Sequence, residues 1–282
     1  MQDHDLGHGL SLAVLDDDIR NADDAGALSR VHLEMLREAR LGFVSARVSA
    51  LSRRQSQHPL QLSLSAALAF WIAHPSPAPP IPLYLTLTRT PSGWFVSEAT
   101  IHSPTLRHPD DKPPAVFPDS AVKDALAIYI DLVSSMGSTD QTRIAIRTLA
   151  TALREGAWPV RFATLWIIME CLYGDARTRG GIAQTIAQRA GFFLAANRRQ
   201  ARKLVKQVRE SYSARSKIVH GLHPKSMTPM QGEGVALGLT RGLERLVRQS
   251  LFKIFREPGM LERFNDSDQR TQYLDKMLYT LP

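Results

Sequence analysis

The sequence predicts an α+β chain: a small mixed α/β unit over residues 1–118, then an all-α helical bundle over residues 119–282. Three observations carry this. Proline clusters before residue 118, in His74-Pro-Ser-Pro-Ala-Pro-Pro-Ile-Pro82 and His108-Pro-Asp-Asp-Lys-Pro-Pro-Ala-Val-Phe-Pro118, and is sparse afterwards. Proline fixes φ and restricts the residue before it, so both stretches read as extended loops. Period-two strand patterns lie between these loops, whereas apolar residues at steps of three and four dominate after residue 118.

In the first unit, Ala27 to Arg47 has helical spacing through Leu28, Val31, Leu36, Ala39 and Phe43. Pieces of strand and helix are expected around residues 59–73. Leu83–Thr88 and Trp94–Ile101 alternate β-branched or aromatic residues with others, and Thr90-Pro-Ser-Gly93 between them suits a hairpin turn.

In the second unit, Asp119 or Ser120 can cap a helix to about Met136, and Asp140 another to Gly156. Pro159 suits the first turn of a third helix, which sets Phe162, Trp166, Met169 and Tyr173 on one stripe. A fourth helix is expected over Ile182 to Ala195. Asn197 can cap a fifth, through Ala201, Leu204, Val208 and Tyr212 to near Gly221. A sixth runs from about Val235 to Glu257, and a short seventh spans Ser267 to Leu278.

Composition narrows the function. The chain has 282 residues, is 44% hydrophobic and 22% charged, and so can bury a sizeable core. Its one cysteine, Cys171, excludes a disulfide framework within the chain and a multi-thiolate zinc site. The acidic start Met1-Gln-Asp-His-Asp lacks a basic leader, and the longest strictly apolar run, Ala66 to Ala73, is too short for a bilayer. A cytoplasmic protein without membrane contact is expected.

Net charge is +8, unevenly spread: residues 1–30 hold seven Asp and two Arg, whereas residues 189–217 hold nine Lys/Arg against Glu210 alone. Such a run is either a phosphate-tracking surface or a solvated helix face. On the first reading Arg202, Lys206, Arg209 and Lys217 bind RNA.

The basic run ends in Tyr212-Ser-Ala-Arg-Ser-Lys-Ile-Val-His-Gly221, with Arg215 and His220 in the spacing R-x4-H. RNA carries its own nucleophile, the 2′-hydroxyl. Cleavage then needs a base, an acid and positive charge on the phosphorane. His220 can move the proton and Arg215 can hold the phosphate, so no metal and no other cofactor is required. Spacing alone carries little weight, because R-x4-H recurs by chance and a histidine before glycine is a common helix cap. Five residues on one helix also turn about 140°. Either the helix ends between Arg215 and His220, or groups from two chains converge at a two-fold interface.

The full string Tyr212 to Gly221 resembles the signature of HEPN domains, in particular the Apea-like HEPN group. The helix Arg161 to Gly174, with Glu170 in an apolar run, resembles the family's acid-bearing helix, and Leu243 to Arg248 the helix after the motif. The resemblance covers roughly residues 119–282. It implies a helical bundle that dimerises, and a metal-independent ribonuclease of a defence or toxin–antitoxin system, with an antitoxin or defence protein as partner. Catalytic roles then fall to Arg215 and His220. The family commonly has Asn, Asp or His after the arginine; here Ser216 can still hydrogen-bond a phosphate. The first unit would sense a trigger, bind a partner or restrain the nuclease.

Glu170 is the only charge between Phe162 and Tyr173, and a buried carboxylate needs a partner. It is expected either to bond and orient Arg215 or His220, or to lie on the helix's solvated stripe. Tyr212, Trp166 and Met169 are expected in the core. The alternative function is a catalytically inactive HEPN module that binds RNA or a protein, with the Arg–His pair serving as structure. A third is an interaction protein in which the first unit matters most.

Overall fold

The structure is a computed structural model that describes residues 4–7, 10–14, 41–45, 59–74, 83–90, 93–101, 118–134, 140–175, 180–220 and 232–281. Nine α-helices stand among the described residues: α1 Pro59–Ala73, α2 Asp119–Ser134, α3 Gln141–Ala152, α4 Trp158–Tyr173, α5 Ile182–Leu194, α6 Arg198–Val219, α7 Gly232–Arg256, α8 Met260–Asn265 and α9 Ser267–Thr280. They form a helical bundle around one apolar core.

Local chemistry starts and stops these helices. Asp140 accepts from the Arg143 N–H at 2.8 Å and begins α3. Asn197 accepts from the Gln200 N–H at 3.0 Å, while Gln200 accepts from the Ala196 N–H at 2.9 Å, so α6 starts on two reciprocal bonds. Pro159 sits in the first turn of α4. That helix stops at Gly174, where a Cβ would lie 2.4 Å from the Glu170 carbonyl oxygen. Asp266 ends α8 and starts α9 by accepting from the Asp268 and Gln269 N–H groups at 2.9 Å each. Helix α9 stands where a helix is expected over Ser267 to Leu278, whereas the six-residue α8 before it is not among the expected helices.

The core is built on α4. Phe162, Trp166, Met169 and Tyr173 are all fully buried along its expected stripe. Three buried polar side chains are tied down across the core. Tyr173 donates its hydroxyl to Ser250 at 2.6 Å, and burial pushes its phenol far above the ordinary range. Arg189 reaches Asp275 at 2.9 Å, the Tyr173 carbonyl at 3.2 Å and Asp175 at 3.4 Å. Arg161 meets Glu244 at 2.6 Å.

Helix α1 packs into this same core through Leu62, Ala66, Leu68, Ala69, Trp71 and Ile72. Arg248 of α7 donates to the Ile72 carbonyl at 3.4 Å, near the end of α1. A helix apolar on nearly every side must be enclosed on every side. The division at residue 118 therefore runs through the sequence, but the helical core includes a segment from before it.

Of the rest of residues 1–118, backbone pairing is described for five strands. β1 His4–Gly7, β2 Leu10–Val14 and β3 Leu41–Ser45 pair antiparallel in that order. β4 Leu83–Thr90 and β5 Gly93–Ile101 pair antiparallel, with Thr90 opposite Gly93. The helical pattern read over Ala27 to Arg47 needs correction at its end: Leu41–Ser45 is a strand, with Leu41 opposite Val14 and Ser45 opposite Leu10. Gly42, Phe43 and Val44 are poor helix formers, and the ladder to β2 outweighs the apolar spacing. The remainder of that pattern, residues 27–40 and 46–47, and both proline-rich loops apart from His74 and Pro118 lie outside the described residues.

Candidate functional site

Helix α6 is about 33 Å long at 1.5 Å per residue. It buries Ala201, Val208, Ser211 and Ala214 and turns Arg202, Lys206, Arg209, Ser213, Ser216, Lys217 and His220 to solvent. It lies close against α5 because Gly191 has no side chain: a Cβ there would sit 2.6 Å from Val205 Cγ2 and 2.9 Å from the Val205 nitrogen.

Arg215 leaves α6 toward α4. Its Nη2 lies 3.0 Å from Glu170 Oε1, with the two side chains 24% and 34% exposed. Its guanidinium carbon stands 5.6 Å from the centre of the Tyr212 ring, one turn earlier. Tyr212 meets Trp166 edge to face, with centroids 5.2 Å apart, and the Trp166 indole N–H donates to the buried Ser211 hydroxyl at 3.2 Å. Arg215 is thus held between a carboxylate and an aromatic ring that is itself anchored in the core. Its buried Nε finds no acceptor among the described residues. Of the two expectations for Glu170, the ion pair to Arg215 is the one present, at the half-exposed edge of α4 rather than deep inside it.

His220 stands elsewhere. It is the C-cap of α6 at φ −89°, ψ 13°, and its backbone N–H donates to the Ser216 carbonyl at 3.2 Å. Helix α6 ends at Val219, between Arg215 and His220, but this i to i−4 bond keeps His220 on the helical turn, so the ending does not swing its side chain round to Arg215. A continuous helix sends the two side chains out about 140° apart and about 7.5 Å apart along its axis. His220 instead shares the exposed side with Arg202, Lys206, Arg209 and Ser216, while Lys217 is rotated from it by about 60°. The structure brings Glu170 to Arg215, and does not bring Arg215 to His220.

Tyr212 has a second contact beyond the core packing expected of it. Tyr212 is only half-buried, and its three-residue step to Arg215 is the signal that finds the ring–guanidinium contact. Beside Glu170, burial pushes the Cys171 thiol up, the Glu170 charge adds to this and Arg270 opposes it, so Cys171 is no activated thiolate.

Among the described residues no three His, Cys, Asp or Glu side chains gather to hold a metal ion. No described helix is long and apolar enough to cross a membrane. No protein-family model matches the chain, and neither a curated protein nor a solved structure matches it.

Proposed function

We propose that this chain is a metal-independent endoribonuclease with a HEPN-like bundle, acting in the cytoplasm in a defence or toxin–antitoxin system. Its reactive site is composite, with Arg215 and His220 of two copies converging across a two-fold axis. One observation carries this reading. Arg215 is oriented by Glu170 at 3.0 Å on one side of α6, and His220 ends the exposed cationic row on another. A second copy supplies what one helix cannot.

The surface beside the pair suits such a partner. Val160 and Ile167 lie seven residues apart on the outer face of α4, 51% and 44% exposed, and Glu170 follows three residues later. Val219, next to His220, is 56% exposed. Residues spaced by seven on one helix form a stripe that a second helix can cover.

In the reaction, one His220 takes the proton from the 2′-hydroxyl. The 2′-oxygen attacks phosphorus, the bond to the 5′-oxygen breaks, and the other copy's histidine protonates that leaving oxygen. The products are a 2′,3′-cyclic phosphate and a 5′-hydroxyl. Arg215 donates to the phosphorane oxygens, where charge accumulates. The α+β organisation, with residues 1–118 as a sensing or restraining unit, belongs to the same proposal.

A second reading, the inactive RNA- or protein-binding module, draws on the same ion pair, because an arginine engaged by its own chain's carboxylate can be purely structural. The test is incubation of the full chain with mixed RNA in EDTA, beside Arg215→Ala and His220→Ala. Cleavage lost in both variants, with RNA binding retained in His220→Ala, supports the nuclease. Binding without cleavage overturns it in favour of the module. Absence of any RNA affinity at low salt overturns both.

A further inference from the structure

The cationic row on α6 has a direction and a length, and both define what the site can take. Arg202 precedes His220 by eighteen residues, five helical turns, so the two side chains leave α6 on the same side. Lys206 departs from that line by about 40° and Arg209 by about 20°. Measured along the axis, Arg209, Lys206 and Arg202 lie about 16, 21 and 27 Å from His220. Ser213 and Ser216 fill the row between Arg209 and His220, and both are exposed.

These cations are available. Arg202 and Arg209 have no ion-pair partner among the described residues, and Lys206 has only a loose pair to Glu210 at 3.9 Å, with side chains 80% and 64% exposed. A pair that open to water contributes little. The row carries no aromatic residue, since Tyr212 is turned toward Trp166 and Arg215. Its chemistry is therefore cations and hydroxyls, which grip phosphates, without rings on which bases stack.

We propose that α6 is a rail for single-stranded RNA, holding the chain on one side of the phosphate presented to His220. This rests on the ribonuclease reading and adds a substrate class to it. A straight row follows one flexible strand, whereas a strand of a duplex winds away from it within half a turn. A stacked strand advances about 3.4 Å per nucleotide, so a 27 Å track spans about eight nucleotides. Binding is insensitive to sequence and steeply salt-dependent. For single strands each neutralised phosphate contributes about −0.7 to the slope of log K against log salt, so three cations contribute about −2.

The experiment uses the full chain carrying His220→Ala, which on the ribonuclease reading binds without cutting. Fluorescence anisotropy is read with single-stranded RNA of 4, 8 and 16 nucleotides and with a 16-base-pair RNA duplex, across a salt series. Affinity is expected to rise at least tenfold from 4 to 8 nucleotides and to level off by 16, with the duplex weaker. Adding Arg202→Ala, Lys206→Ala and Arg209→Ala together lowers affinity for the 8-mer about tenfold and flattens the salt slope by about 2. Length-independent affinity, a duplex bound as tightly as the single strand, or an unchanged slope in the triple variant overturns the rail. Cleavage with length-independent binding sinks the rail and leaves the nuclease standing. Length-dependent binding by a wild-type chain that never cuts does the reverse.

Discussion

Changing Glu170 to glutamine removes one charge from the Arg215 contact and leaves the shape of the side chain intact. The two side chains are 34% and 24% exposed, so water screens much of the attraction of the 3.0 Å pair. A pair of this exposure contributes about 0.5–1 kcal/mol. For a chain of this size that lowers Tm by about 1–3 °C. The amide that replaces the carboxylate still accepts a hydrogen bond from the guanidinium, so Glu170→Ala is expected to cost more than Glu170→Gln. Function should respond more strongly than stability. If Glu170 aims Arg215 at a phosphate, Glu170→Gln lowers the rate of RNA cleavage at least tenfold while RNA affinity changes less than twofold. Thermal unfolding by circular dichroism reads the first quantity, and single-turnover cleavage beside anisotropy reads the second. A double-mutant cycle with Arg215→Gln isolates the pair. Wild-type melting and wild-type cleavage in both Glu170 variants would refute the argument that this carboxylate orients Arg215.

Further outcomes follow from packing and capping. Gly191→Ala forces a methyl to within 2.6 Å of Val205 Cγ2 and 2.9 Å of a backbone nitrogen, and is expected to cost about 1–3 kcal/mol in urea unfolding. Val205→Ala does not rescue it, because the nitrogen remains in place. Tyr173→Phe removes the 2.6 Å bond to Ser250 and costs about 1 kcal/mol, since Ser250 keeps its own bond to the Leu246 carbonyl. The Asp266 carboxyl is held below the usual carboxylate range, first by the Gln269 backbone N–H, then with help from the Asp268 N–H, the Gln269 side chain and Arg270, against desolvation. A depressed carboxyl stabilises the fold above its unfolded pKa and loses that contribution as pH falls through its folded value. Chemical-shift titration should therefore place Asp266 below an ordinary aspartate, and Asp266→Asn should weaken the acid dependence of unfolding below about pH 4.

Much of the bundle was legible because its signals are local. Asp140 and Asn197 cap helices through bonds to residues three positions on, and Pro159 marks a first turn. The stripe Phe162, Trp166, Met169, Tyr173 is buried as its spacing implies. The failures were non-local. Leu41–Ser45 is a strand because β2 pairs with it, and α1 lies in the helical core because α2 and α7 enclose it. The short helix α8 follows Gly259 at φ +68°, a turn that no apolar period announces.

For the candidate site the division falls between composition and direction. The sequence by itself determined that a basic helix ends in Arg215 and His220, that Glu170 is the lone acid in an apolar helix, and that five residues separate the pair. Those are properties of residue order, and a helix imposes its rotation wherever it forms. Tertiary structure decided that Glu170 reaches Arg215 and that Trp166 meets Tyr212 edge to face. Only it could decide these things, because they depend on which face of α4 meets which face of α6. Packing of the whole core sets that choice, and no local pattern in either helix contains it.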